Sequence, residues 1–201
     1  MRKSLVLGSL AAAVAASAAS ADVIVFTQLA AYNIYGGATD SYAVSENFDA
    51  YNGYYNSPLA GNSGGVNWLA TATGGIYASG GLFSTNNPTG LTFSFDDGAV
   101  RGVGGNFFAT DINFNVVPSY MLVSLNDGTS YFGEVTSASA FLGFYSTGAS
   151  ITSVTIGAMP SGGSGSVYPT VDNFQIAATP IPAPGAIALL GLAGLAGRRR
   201  R

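Results

Sequence analysis

A chain of 201 residues with 48% hydrophobic and 12% aromatic side chains can bury the core of one domain, which excludes disorder by composition. Between the termini ten acidic residues face a single cation, Arg101, a formal charge of −9 that repels phosphate and excludes nucleic acid as a partner. Cysteine and histidine are both absent, so disulfides, thiolate chemistry and Ser-His or Cys-His catalysis are excluded as well.

The chain opens MRKSLVLGSLAAAVAASAASADVIVF. Arg2 and Lys3 followed by the apolar run from Leu5 to Val14 form a secretory signal peptide over 1–21. Ala19-Ser20-Ala21 has the small-x-small pattern of a cleavage site, which leaves Asp22 as the mature N-terminus.

The body, 22–178, reads as all-β. Runs rich in Val, Ile, Phe, Tyr and Thr recur between Gly, Asn and Pro clusters, and there is no helical period. They are VIVFTQL from Val23, LTFSF at 91–95, YMLVSL at 120–125, SYFGEVT at 130–136, FLGFYS at 141–146, ITSVTIG at 151–157 and VDNFQIA at 171–177. In YMLVSL, Met121, Val123 and Leu125 share one face, and Asn126-Asp127-Gly128-Thr129 supplies hairpin chemistry. The stretch 42–81, with NGYYNSPLAGNSGG, has the composition of a long surface loop, and SGGSGS at 161–166 that of a flexible one. This spacing predicts a β-sandwich of jelly-roll type, flanked by the signal helix and a short C-terminal apolar helix.

A Pro-rich linker, 179–184, leads into an apolar helix with an arginine cluster, 185–201. The uncharged run GAIALLGLAGLAG reaches only about 20 Å as a helix, short of the roughly 30 Å hydrocarbon core. Arg198, Arg199, Arg200 and Arg201 would hold the cytoplasmic side, and the body would lie outside. Pro182-Ala183-Pro184, the apolar segment and the arginines together resemble the PEP-CTERM sorting signal, whose tripeptide usually has Glu where Ala183 stands. The resemblance implies export, transient membrane anchoring, processing by an exosortase-type enzyme, and residence in the cell envelope, at the cell surface or in extracellular matrix. The body resembles the sandwich domains that often precede this signal. The phrases that carry this are AVRGVGGNFFATD at 99–111, LNDGTSYFG at 125–133, FLGFYSTGASITSVTIG at 141–157 and PTVDNFQIA at 169–177. Such domains look like carbohydrate-binding jelly rolls, which implies binding more than catalysis.

Three chemistries remain to be weighed. Asp96, Asp97, Asp111 and Glu134 could pair as glycosidase carboxylates, although turn and strand-end positions explain them equally. Calcium takes carboxylate and carbonyl oxygens from acidic turns; Asp111 and Asp172 are the candidate ligands, Asp172 by the family resemblance. Sugar binding needs rings beside amides, as in Tyr51, Tyr54, Tyr55 and Trp68 interleaved with Asn52, Asn56 and Asn67, unless those rings cap the core. Arg101 is expected to pair with a neighbouring Asp. The expectation is a non-enzymatic surface protein with a structural or adhesive role; the alternatives are a module binding extracellular polysaccharide and, more weakly, a glycosidase. Calcium is the one cofactor considered.

Overall fold

Alternation of core-facing and outward side chains builds nearly every element. The computed structural model describes residues 22–39, 41–96, 98–163 and 165–179. The expected signal peptide with Ala19 and Ala21, the expected sorting motif Pro182-Ala183-Pro184, the apolar run with Arg198 to Arg201, and Asp97 lie outside the described residues.

In chain order the elements are β1 (Val23–Phe26), α1 (Leu29–Ala38), β2 (Tyr42–Glu46), β3 (Gly53–Tyr55), β4 (Leu59–Ser63), β5 (Val66–Ala72), β6 (Ile76–Ser79) and β7 (Leu82–Thr85). There follow β8 (Leu91–Ser94), β9 (Val100–Thr110), β10 (Ser119–Leu125), β11 (Ser130–Val135), β12 (Phe141–Ser146), β13 (Ser153–Pro160) and β14 (Tyr168–Ala178). They form two antiparallel sheets. One runs β1-β12-β9-β14-β7-β6-β3, with β2 added beside β14; the other runs β11-β10-β13-β8-β5-β4. From β7 onward the chain changes sheet at every connection except the β10–β11 hairpin, so β7, β9, β12 and β14 share one layer and β8, β10, β11 and β13 the other.

The core lies between the layers and is rich in rings. Phe48 stacks on Phe83 and Phe93 stacks on Phe174, each pair with centroids 4.4 Å apart. Met121, Val123 and Leu125 of β10 are buried on its inner face, as their spacing predicts. The turn after β10 forms as expected too: Thr129 N–H donates to Asp127 Oδ1 at 2.9 Å, and Gly128 takes φ 90°. The longest strand pairing, β9 with β14, is interrupted by a bulge between Asp172 and Gln175, where Asn173 adopts φ 49°. There β14 exchanges β7 for β2 along its other edge.

Two expectations are corrected. The run from Val23 is a strand only to Phe26, and a helix follows at Leu29–Ala38. Its signal was hidden because only Tyr32 and Gly36 are buried, so no apolar stripe exists to give a helical period. The stretch 42–81 is not a surface loop but holds β2 through β6, with turns at its glycine pairs. Short strands rich in Asn, Ser and Gly have no composition signal of their own; pairing with longer neighbours makes them strands. Among the described residues no helix is long and apolar enough to cross a membrane.

Candidate functional site

The four rings singled out in the sequence do not form a binding face. Trp68 is 1% exposed and belongs to the core. Its Nε1–H donates to Ser63 Oγ at 2.8 Å, and that hydroxyl donates to Glu46 Oε2 at 2.6 Å. The second Glu46 oxygen accepts the Phe48 N–H at 3.0 Å, so one carboxylate ties two core rings into place. A buried indole offers no face to a ligand, and its assignment as a glycan contact is corrected. Tyr51 and Tyr55 are half-buried against the same core, with ring centroids 5.8 Å apart. Burial, helped by Glu46 and Tyr55, pushes the Tyr51 hydroxyl up. Tyr54 alone is exposed, at 53%.

The candidate carboxylates are scattered. Asp172 pairs with Asn106 on β9, five residues before Asp111, which puts the two about 16 Å apart and rules out one shared ion. Asp172 sits in the β14 bulge with its Oδ1 accepting the Asn173 N–H at 2.6 Å. Burial raises its pKa, the neighbouring Asp49 adds to the rise, and the Asn173 N–H opposes it. Asp96 follows β8 and Glu134 is on β11, three strand spacings away across the sheet, so they cannot act as a pair. Among the described residues no three Asp, Glu, His or Cys side chains gather into a metal-holding group. Arg101 donates from its guanidinium to the Gly148 carbonyl at 2.7 Å.

A groove of about 410 Å³ lies at one end of the eight-stranded sheet. Four elements and a loop build it. On β6, Ile76 and Ala78 point into the core, which turns Tyr77 and Ser79 outward into the groove. Tyr77 faces Ser84 across the β6–β7 pairing, and Tyr168 faces Thr110 across β14–β9. Behind the lining, Thr170 Oγ1 lies 2.9 Å from Ser84 Oγ and 3.0 Å from Thr110 Oγ1, all three buried. Thr85 borders the groove, but it pairs with the inward-facing Ile76, so its side chain turns into the core. It is 2% exposed, and its Oγ1 has no hydrogen-bond partner among the described residues. Such a buried orphan costs about 1–3 kcal/mol.

The wall is the loop after β9, and Asp111 shapes it. Its Oδ1 accepts the N–H groups of Asn113 at 2.8 Å and Asn115 at 2.9 Å, and its Oδ2 accepts from the Asn115 amide at 3.0 Å. These bonds, led by the Asn115 side chain, hold the carboxyl below its ordinary pKa. The closed loop carries Phe114 at φ 62° and sets its ring 5.8 Å from Tyr77. Tyr77 keeps 39% of its surface exposed. Asp111 therefore shapes the site by closing this loop. Sequence reasoning missed Tyr77, Phe114 and Tyr168, because only sheet pairing brings such distant positions together. The Asp-x-Asn-x-Asn run after a strand was the one local signal.

The chain matches no protein-family model and no curated protein. A similar solved structure is a mutant of CBM29-2, a family 29 carbohydrate-binding module. It is 7% identical with a TM-score of 0.30, covering 71% of this chain and 99% of that one. A likeness that distant carries no argument about the ligand.

Proposed function

We propose that this chain is an exported, surface-routed domain that binds extracellular polysaccharide in the groove beside Tyr77 without catalysing its cleavage. The observation that carries the reading is the pairing of an exposed ring with a bed of hydroxyls and amides. Tyr77 and Phe114 supply apolar surface for a sugar face, while Ser79, Asn86 and Asn113 supply donors and acceptors for its hydroxyls. Among the described residues Asp111 is the one carboxylate lining the groove. Glycoside hydrolysis ordinarily needs two flanking the bond.

The strand order from β7 to β14, with its alternation between layers, supports a jelly-roll reading. The terminal segments support export and PEP-CTERM-type processing by an exosortase-type enzyme, with the apolar tail as a transient anchor. Calcium, if bound, would use Asp172 or Asp111 separately. A structural or adhesive role in the matrix is the second reading. It is favoured by the outer face of the six-stranded sheet, where Tyr120 and Phe132 stack with centroids 5.3 Å apart beside the exposed Leu122 and Met159.

Pull-down of the full chain on a panel of insoluble polysaccharides tests the reading. Tyr77→Ala is expected to abolish retention and Phe132→Ala, on the exposed face of the other sheet, to leave it intact; the reverse result overturns the groove. Mass spectrometry of released protein tests the sorting reading, which an intact arginine terminus would sink.

A further inference from the structure

We propose that two copies of this chain associate through the free edge of β11, antiparallel and centred on Phe132, so that their six-stranded sheets run on as one. β11 ends its sheet, with β10 on one side and no strand on the other among the described residues. Its register with β10 is continuous from Ser130 to Val135, without a bulge. Edges of this length are ordinarily blunted by Lys, Pro or a bulge, which keep other strands away. SYFGEV has no Lys, Pro or bulge, and Phe132 in its centre is 57% exposed.

The hairpin fixes which backbone groups face outward. Leu125 N–H donates to the Thr129 carbonyl at 2.8 Å. Antiparallel pairs alternate from there, so Tyr131, Gly133 and Val135 direct their N–H and C=O groups to β10. Ser130, Phe132 and Glu134 direct theirs to the open edge, where no partner meets them among the described residues. The side chains of these three residues are all exposed on the outer face.

A second copy is the partner this edge fits. A twofold axis through Phe132 sets Phe132 against Phe132 and each Ser130 against the Glu134 of the other copy. Every residue so paired offers its backbone outward, and each pair exchanges two hydrogen bonds. The one charge on the strand then faces a neutral hydroxyl. Centring the axis on Glu134 would bring two carboxylates face to face in bodies that already carry −9 each. Centring it on Gly133 would set each Phe132 against a Glu134 and lose the aromatic pair. About Phe132, the Phe132–Tyr120 stack of each copy, with centroids 5.3 Å apart, continues into that of the other, flanked by the exposed Leu122 and Met159. The groove beside Tyr77 is on the other sheet and stays open, so this association stands apart from the glycan reading.

Sedimentation velocity of the full chain tests the pairing. A reversible dimer is expected to grow in between about 1 and about 300 μM, as suits a small interface. Phe132→Glu and Phe132→Lys each place like charges face to face and are expected to weaken association more than tenfold. Their equimolar mixture is expected to restore the dimer, because the introduced carboxylate and ammonium then meet across the axis. Misfolded chains could not give that rescue, and circular dichroism of each variant checks the fold directly. In the parent chain, hydrogen exchange at the amides of Ser130, Phe132 and Glu134 is expected to slow as concentration rises. Association that persists in both single variants comes from elsewhere in the chain and overturns the proposal, as does a mixture that stays monomeric. A parent chain monomeric at about 300 μM also overturns it, and leaves the edge to a strand of another protein.

Discussion

The outer face of the eight-stranded sheet has two hollows, one at each end, and they have opposite fates. At one end Gly102 and Gly143 leave room above the strands, and α1 lowers Tyr32 into it. A Cβ would stand 2.7 Å from the Tyr32 hydroxyl at Gly102 and 2.8 Å from its ring at Gly143, so glycine is required at both. Phe26, Phe141 and Tyr145 surround the ring with centroids 5.6–6.3 Å away. At the other end no helix descends, and the loop locked by Asp111 holds Phe114 to the side, which keeps the groove beside Tyr77 open. In the filled hollow Tyr32 Oη is buried without a hydrogen-bond partner among the described residues. Where the chain's own ring fills the space, the sheet face is sealed; where the space is open, Tyr77 keeps 39% of its surface exposed.

The largest test of this contrast is Tyr32→Ala. Emptying a filled hollow is expected to cost about 3–5 kcal/mol and lower the melting temperature by about 10 °C or more, read by circular dichroism. An unchanged melt would mean that α1 merely rests on the sheet. Tyr32→Phe removes only the orphaned hydroxyl and is expected to raise the melting temperature by about 2–4 °C. Burial already holds that hydroxyl far above the ordinary tyrosine range, so no ionised form is lost by the change.

Acid sharpens the open end. The Asp111 carboxyl is held below its ordinary 3.8, so its hold on the loop is fully present above that pH and is lost as pH falls through the lower folded value. Saccharide binding is expected to survive down to about pH 4 and to fail on further acidification; a loss near pH 6 would remove Asp111 from the account. The smallest effect belongs to Asp172, on β14 between the two hollows. Its pKa is raised, so the folded chain keeps the proton to higher pH than the unfolded one, and stability falls as pH rises from 3.8 through the raised value. Asp172→Asn at neutral pH is therefore expected to raise the melting temperature by about 1–2 °C, discounted for partial exposure. A decrease would mean that the carboxylate holds a cation such as calcium.

Much of the sandwich was legible residue by residue. The run FLGFYS is β12 to the residue, LTFSF and YMLVSL contain β8 and most of β10, and the Asp127-Gly128 turn forms with the expected hydrogen bond. These segments announce themselves through alternation and turn chemistry within a few residues. The helix did not, because its contact with the sheet is one tyrosine wide. The aromatic cluster at 51–68 misled because rings beside asparagines look alike whether they cap a core or meet a sugar. Whether Trp68 turned inward depended on Ser63 and Glu46 being placed to satisfy its N–H.

By itself the sequence determined an acidic, cysteine-free, β-rich body between two basic terminal segments, because composition and short-range periodicity act over a few residues. The tertiary structure alone decided which rings are buried and where a ligand can sit. Tyr77, Phe114 and Tyr168 are separated by up to ninety-one positions, and backbone pairing between β6, β7, β9 and β14 is what sets them around one groove. Pairing partners are chosen by burying both sheet faces at once, a condition on the whole chain that no local pattern contains.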